Sequence, residues 1–211
     1  FIIYKALAAR SDKFNKIIEK STALVDVGAG STQVSLFNNG TLVTTQNVKL
    51  GAVRISNMMS ALSQNVTNYV DIMREYIDND MVTLNELFLR SKKISNVIFV
   101  GDCVPYYVRM KDYFDDGEYI TRDRFKAFLD KIYHKSIEQI ADIMMLQENQ
   151  AKLILPSAMV YTRMLDFTQA DAIWMPQVTL CDGMAVEHAQ KSKKFELKHD
   201  FNADILAAAK N

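Results

Sequence analysis

Cysteine is nearly missing from this chain. Cys103 and Cys181 are the only two in 211 residues, far apart and without a C-x-x-C pair, which argues against a structural zinc site. Each follows a strand-like run and reads as a small buried residue. Histidine is as scarce. His134, His188 and His199 stand singly, with no H-x-x-x-H or H-E-x-x-H pair, so a histidine metal cluster lacks its ligands. There is no G-x-S-x-G elbow, which leaves Ser–His–Asp catalysis unsupported. No run of about 18 apolar residues occurs and no signal peptide is visible, so a cytoplasmic protein without a membrane role is expected. An excess of one charge is lacking too: 25 Lys plus Arg balance 25 Asp plus Glu. Nucleic-acid binding through a basic surface is disfavoured for that reason. Only 3 prolines and 7 glycines punctuate the sequence, with no Pro/Ser-rich linker and no internal repeat. A single domain over residues 1–211 is expected, and 49% hydrophobic residues can fill its core.

What is present is a clear order of elements. Residues 3–19 carry Ile3, Ala6, Leu7, Phe14, Ile17 and Ile18 near helical spacing. "TALVDV" (22–27), "QVSLFN" (33–38) and "TLVTTQNV" (41–48) read as three strands of an antiparallel meander, with Asn39-Gly40 as a tight turn. One long helix is expected from about Val53 to Ile77, and another over 83–93 with Thr83 and Glu86 in capping-box spacing. "ISNVIFVGD" (94–102) is a buried strand, and Pro105 can start the next helix. Thr121 and Ser136 cap two further helices, and a third covers about 147–166, interrupted near Pro156. "DAIWMP" (171–176) and "VTLCDG" (178–183) close the order with one or two strands before a helix from about Met184. The fold class that follows is α/β. A mixed five-stranded sheet combines the antiparallel meander with parallel strands, and helices cover both faces. Ligands of such sheets bind at strand carboxyl ends, which singles out the turns Gly28–Thr32, Gly101–Cys103 and Asp182–Gly183.

The first of these turns carries the chemistry. In "ALVDVGAGSTQVSLFNNGTLVTTQNVKLG" (23–51), Asp26 ends an apolar strand and Gly28, Ala29, Gly30, Ser31 and Thr32 follow. Glycines permit positive φ and close approach of backbone to a ligand. Successive amide N–H groups then make an anion nest, to which Ser31 and Thr32 add hydroxyls. A carboxylate beside bound phosphate repels it unless a cation lies between, so Asp26 calls for Mg2+. A solvated hairpin loop is the plainer alternative. The spacing is not a Walker A loop, which leads through Gly-Lys-Ser/Thr into a helix, nor a Rossmann turn, which a helix also follows.

"LVDVGAGSTQVSLFNNG" followed by "QNVKLGAVRI" resembles the second phosphate motif of the exopolyphosphatase / guanosine pentaphosphate phosphohydrolase family. That motif commonly reads D-I-G-G-G-S-T-E-L, then a strand, then L-x-L-G-x-V-R. "LILPSAMVYTRML" and "VTLCDGMAVEHA" resemble the family's later V-I-x-P-G-x-x-I-L and V-S-D-G-G-L-R-E-G segments, so the likeness covers about residues 22–190. It implies the second lobe of an actin-like, ribonuclease H-like ATPase fold and a Mg2+-dependent phosphoanhydride hydrolase. The substrate implied is polyphosphate or guanosine pentaphosphate. It adds Arg54, which either braces the nest or reaches a phosphate, to the phosphate-binding set of Gly28, Ala29, Gly30, Ser31 and Thr32. Gln33 joins Asp26 at the metal, and Gly101, Asp102, Asp182, Gly183 and Glu187 form a second ligand turn.

Four positions depart from the family pattern. Ala29 replaces a glycine, Gln33 a glutamate that helps hold the metal, Gly101-Asp102-Cys103-Val104 a Gly-Thr-x-Gly-Thr segment, and Val186 an arginine. "FIIY" (1–4) resembles the tail of the segment bearing the family's catalytic glutamate. That residue is therefore expected just before Phe1, the first lobe before it, and the 211 residues alone inactive. The face that would meet the first lobe is then open to homodimerisation. The departures also motivate a second reading, a module that binds polyphosphate or an alarmone without turning it over. An ATP-dependent kinase of the same superfamily is a third, weakened by the altered adenosine-type segment. Elsewhere, Asp115, Asp116 and Glu118 read as an acidic turn, and Tyr106, Tyr107 and Arg109 as core or lobe-interface packing.

Overall fold

A computed structural model describes residues 2–10, 12–62, 68–90, 92–110, 112, 119–170, 172–192 and 196–197. The acidic turn at 115–118 lies outside them. The sheet has the strand order β3-β2-β1-β4-β6-β5. β1 (Thr22–Val27) is central, antiparallel to β2 (Thr32–Asn38) and parallel to β4 (Asn96–Gly101). β3 (Thr41–Val48) pairs antiparallel with β2, and β6 (Ala172–Trp174) parallel with β4. β1 and β4 are apolar runs because both of their faces are covered. Within β1, Asp26 alone escapes full burial. The β2–β3 turn is made by Asn39 and Gly40 at φ 50° and 77°, the pair of left-handed residues that a tight hairpin requires.

The sheet is mixed, with helices on both faces, but it has six strands rather than five. β5 (Tyr119–Thr121) adds a three-residue edge antiparallel to β6. The expected strand over 178–183 is instead the start of a helix. Thr179 caps α9 (Leu180–Lys191): its hydroxyl accepts from the Asp182 amide, and the Asp182 carboxylate reaches back to the Thr179 amide. As a result Cys181 is exposed on α9, while Cys103 is buried as expected.

One face of the sheet holds α1 (Ile2–Arg10) and α2 (Asp12–Ile18), two helices where one was expected. Tyr4, Leu7, Phe14 and Ile18 pack there on Leu24, Phe37, Ile98 and Val100. The other face carries α3 (Ala52–Leu62) and α4 (Tyr69–Leu84), again two helices in place of one. α4 runs on without a boundary at Thr83 into a π-helical turn, Asn85–Leu89, because Ile77, Met81, Leu84 and Leu89 stay buried along one stripe. Next come α5 (Val104–Val108), α6 (Arg122–Tyr133), α7 (Ile137–Met144) and α8 (Glu148–Thr168). Thr121 and Ser136 cap α6 and α7 as read from the sequence. α8 passes through Pro156 unbroken and is buried nearly all round from Ile154 to Tyr161. Full burial of a large apolar side chain is worth about 1.5–3 kcal/mol, so these two cores hold the carboxyl ends of β1 and β4 in fixed register.

Candidate functional site

The turn between β1 and β2 is fastened to the start of α3. Gly28 N–H donates to the Ser31 carbonyl at 3.0 Å. The Gly28 carbonyl accepts from Ala52 N–H at 2.9 Å, and the Ala29 carbonyl from Val53 and Arg54 N–H at 3.0 and 3.1 Å. The Gly30 carbonyl accepts from Arg54 Nε at 3.0 Å. Three consecutive carbonyls therefore face α3: two satisfy its first amides, which otherwise lack partners, and the third takes the Arg54 side chain. A trans peptide points its N–H opposite to its C=O, and no cis bond occurs among the described residues. The amides of Ala29, Gly30 and Ser31 hence project away from α3, and none of them meets an acceptor among the described residues. They make a row of open donors at the turn where the sequence suggests an anion cup.

The glycines serve it differently from the expectation. Gly28 and Gly30 do not take positive φ; among the described glycines only Gly40 and Gly101 do. Gly30 has open space where a side chain would stand, so its part is to leave the cup uncovered. The exposed Ala29 sits there without difficulty. The obligatory glycine is Gly51, which the motif contains but the sequence reading left without a role. A Cβ there would fall 2.3 Å from the Ala29 carbonyl oxygen.

The side chains divide between the cup and its frame. The buried Thr32 hydroxyl donates to the Leu50 carbonyl and is committed to the seam between β2 and α3. Ser31 is half-buried at the rim. Arg54 braces Gly30 through Nε while remaining exposed, and its terminal nitrogens make no bond among the described residues.

Asp26 sits in register with Gln33 on one side and Val100 on the other. Burial raises its carboxyl above the ordinary 3.8, and the charge of Asp102 raises it further. Asp102 follows Gly101, the last residue of β4, so the two acidic residues stand at the ends of adjacent parallel strands, Asp102 exposed and Asp26 half-buried. Among the described residues no group of three or more His, Cys, Asp or Glu side chains gathers around one point. Two carboxylates with an adjacent amide still suit Mg2+, which commonly takes one or two protein carboxylates and completes its shell with water and phosphate oxygens. Asp26 and Asp102 would hold it. Gln33 Nε2 donates to the Tyr4 hydroxyl at 3.1 Å.

Gly101 takes φ 136°, and a Cβ there would lie 2.4 Å from the Val27 carbonyl oxygen. Beside it, the Tyr161 hydroxyl donates to the Val100 carbonyl at 2.6 Å. Cys103 is buried with its sulfur 3.7 Å from the Leu153 carbonyl, and burial pushes its thiol up to about 11. It is no nucleophile at neutral pH. Tyr107 is core, donating to the Ile154 carbonyl at 2.9 Å.

Asp182, Gly183 and Glu187 are engaged elsewhere. Asp182 accepts from the Thr179 amide and hydroxyl, both at 2.7 Å, and these bonds hold its carboxyl below the ordinary range. Gly183 lets the Ile2 carbonyl approach α9: a Cβ would stand 2.2 Å from that oxygen. Glu187 pairs with Lys5 at 3.4 Å and Lys191 at 3.6 Å, and the Lys5 charge foremost lowers its carboxyl. Asp182 caps α9 and the other two join α9 to α1, in place of forming a strand-end turn. A cavity of about 420 Å³ lies between α3, α4, α7 and α8, lined by Met59, Met73, Lys135, Lys152 and Leu155 among others, and contains no residue of the cup. No described helix is long and apolar enough to cross a membrane.

The profile of the Ppx/GppA phosphatase family matches residues 12–192. No curated protein sequence matches the chain. Among solved structures, the Ppx/GppA family member of Aquifex aeolicus superposes with TM-score 0.70 at 16% identity, covering 94% of this chain and 62% of that one. An exopolyphosphatase from Cytophaga hutchinsonii gives TM-score 0.71 at 13% identity, covering 90% of this chain and 62% of that one. The chain thus spans about three fifths of the length of these structures, and at such identities the likeness speaks for the fold.

Proposed function

The chain belongs to the Ppx/GppA phosphatase family, and from that premise we propose that the intact protein releases terminal phosphate from polyphosphate or guanosine pentaphosphate with Mg2+. The observation that carries the reading is the row of three amides, Ala29 to Ser31, turned away from α3 beside Asp26. Preorganised donors aimed at developing phosphoryl charge are the main device of such catalysis, since they need no reorganisation during reaction. In this reading the amides bind non-bridging oxygens of the terminal phosphate, and Arg54 reaches a further one with its free terminal nitrogens. Asp26 and Asp102 hold the cation, and their mutual repulsion falls when it binds. Mg2+ supplies charge neutralisation on the phosphoryl oxygens. The residue that orients or deprotonates water is proposed to be a glutamate preceding Phe1, in a first lobe. The present 211 residues form the second lobe and do not turn over substrate alone.

The alternative, a binding module without turnover, draws on Asp102 itself. It stands in the segment that departs from the Gly-Thr-x-Gly-Thr pattern of the resemblance, and it adds negative charge near Asp26. Phosphate release by the full-length protein with Mg2+, compared with its Asp26→Ala variant, separates the readings. Hydrolysis that Asp26→Ala abolishes supports the enzyme. Equal rates would remove Asp26 from the site, and tight substrate binding with no release over hours selects the binding module.

A further inference from the structure

We infer that Tyr4 is a positioning residue for this site, and that Gln33 acts through Tyr4 rather than as a metal ligand. The inference rests on the phosphatase reading above. A relay of hydrogen bonds crosses from helix to sheet. Gln33 Nε2 donates to Tyr4 Oη at 3.1 Å, Tyr4 Oη bonds Ser35 Oγ, and Ser35 Oγ bonds Thr45 Oγ1 at 3.0 Å. In the Tyr4–Ser35 and Ser35–Thr45 bonds either hydroxyl can donate, whereas the Gln33 amide can only donate through Nε2 to Tyr4. Tyr4 is 2% exposed and meets the Phe37 ring edge-on at 5.3 Å, so its hydroxyl is fixed by packing as well. At the same end of α1 the Ile2 carbonyl lies against Gly183 of α9.

The first turn of α1 is therefore held twice, to β2 through Tyr4 and to α9 through Gly183. Gln33 is the register partner of Asp26. Tyr4, in the first turn of α1, is thus tied to the residue opposite Asp26 at the carboxyl end of β1, where the proposed water-activating group is expected to act. Residue 33 suits this anchoring as an amide. A carboxylate there could not donate to Tyr4 and would set a second charge opposite Asp26.

The test uses full-length protein and the variants Tyr4→Phe, Gln33→Ala and the double. Each single change is expected to lower kcat about tenfold with KM within about twofold, and the double to be no worse than either. Calorimetric Mg2+ affinity stays unchanged in all three. Amide exchange over α1 quickens in both singles while β1 and β4 keep their protection. Additive losses, or unchanged α1 exchange in Tyr4→Phe, would overturn the positioning role. A large loss of Mg2+ affinity in Gln33→Ala would make Gln33 a ligand after all. A wild-type protein that releases no phosphate counts against the phosphatase reading alone, because the exchange result stands without turnover.

Discussion

A methyl group on Gly51 would stand 2.3 Å from the carbonyl oxygen of Ala29. That same oxygen accepts the amides of Val53 and Arg54, so Gly51 decides how closely the anion cup can sit on α3. Gly51→Ala must push the turn off the helix, because the obstacle is backbone and cannot rotate away. We expect it to cost about 2–4 kcal/mol. Gly30→Ala, with open space around it, should stay within about 0.5 kcal/mol. Thermal melts measure both, and titration with tripolyphosphate should show affinity lost in the first variant. Equal melting temperatures for the two would mean that the seam is not rigid.

Gly101 meets a stricter limit. Its φ of 136° is rarely open to other residues, and an added Cβ would lie 2.4 Å from the Val27 carbonyl and 3.0 Å from the Tyr161 hydroxyl. Gly101→Ala is expected to destabilise by about 3 kcal/mol. Tyr161→Phe should not rescue it, since the tighter contact is backbone. Chemical denaturation of the two single variants and the double checks this. Recovery in the double would place the strain on the tyrosine instead.

Much of this arrangement was legible because local chemistry and tertiary packing agree. Asn39-Gly40, Thr121 and Ser136 with Gln139 each announce a turn or cap within four residues, and each forms one. The D-x-G-x-G-S-T run likewise marks the turn between β1 and β2, although neither Gly28 nor Gly30 takes positive φ and only Gly30 has open space around it. Where signals competed, the reading failed. "VTLCDG" looks like a strand, yet Thr179 and Asp182 hold capping-box spacing and the helix prevails. β5 is only three residues long and is specified by its pairing with β6, which no local pattern encodes. The relay from Gln33 through Tyr4 joins residues 29 apart in sequence. An unbroken apolar stripe also concealed the separate starts of α3 and α4.

Asp182 provides a control away from the cup. Its carboxylate completes the cap of α9 and lies outside the set proposed to touch phosphate. Asp182→Ala should cost about 1 kcal/mol, as loss of a cap does, and Thr179→Val should cost no more when added to it. Phosphate release by the full-length protein should be unaffected. Bonds from Thr179 lower the Asp182 carboxyl in the folded state. Its contribution is therefore complete above the ordinary 3.8 and is lost as pH falls below it. Melts of wild type and Asp182→Ala at neutral and acid pH should accordingly converge at the acid end.

Asp26 runs with the opposite sign. Its folded carboxyl lies above 3.8, chiefly through burial and then through Asp102, so the folded chain holds this proton more tightly than the unfolded one. Stability is fullest below 3.8 and falls as pH rises through the folded value, because the ionised form is the one that burial penalises. Asp26→Asn removes that charge at nearly constant shape. At neutral pH it should melt a few degrees higher than wild type, and near pH 3 the two should coincide. Magnesium reverses the ranking, because a cation that binds only the folded carboxylates raises wild-type stability by mass action. Added Mg2+ should raise the wild-type melting temperature and leave Asp26→Asn where it was, with Asp102→Asn between them. A Mg2+ shift of equal size in wild type and Asp26→Asn would show that the ion, if bound, sits away from β1.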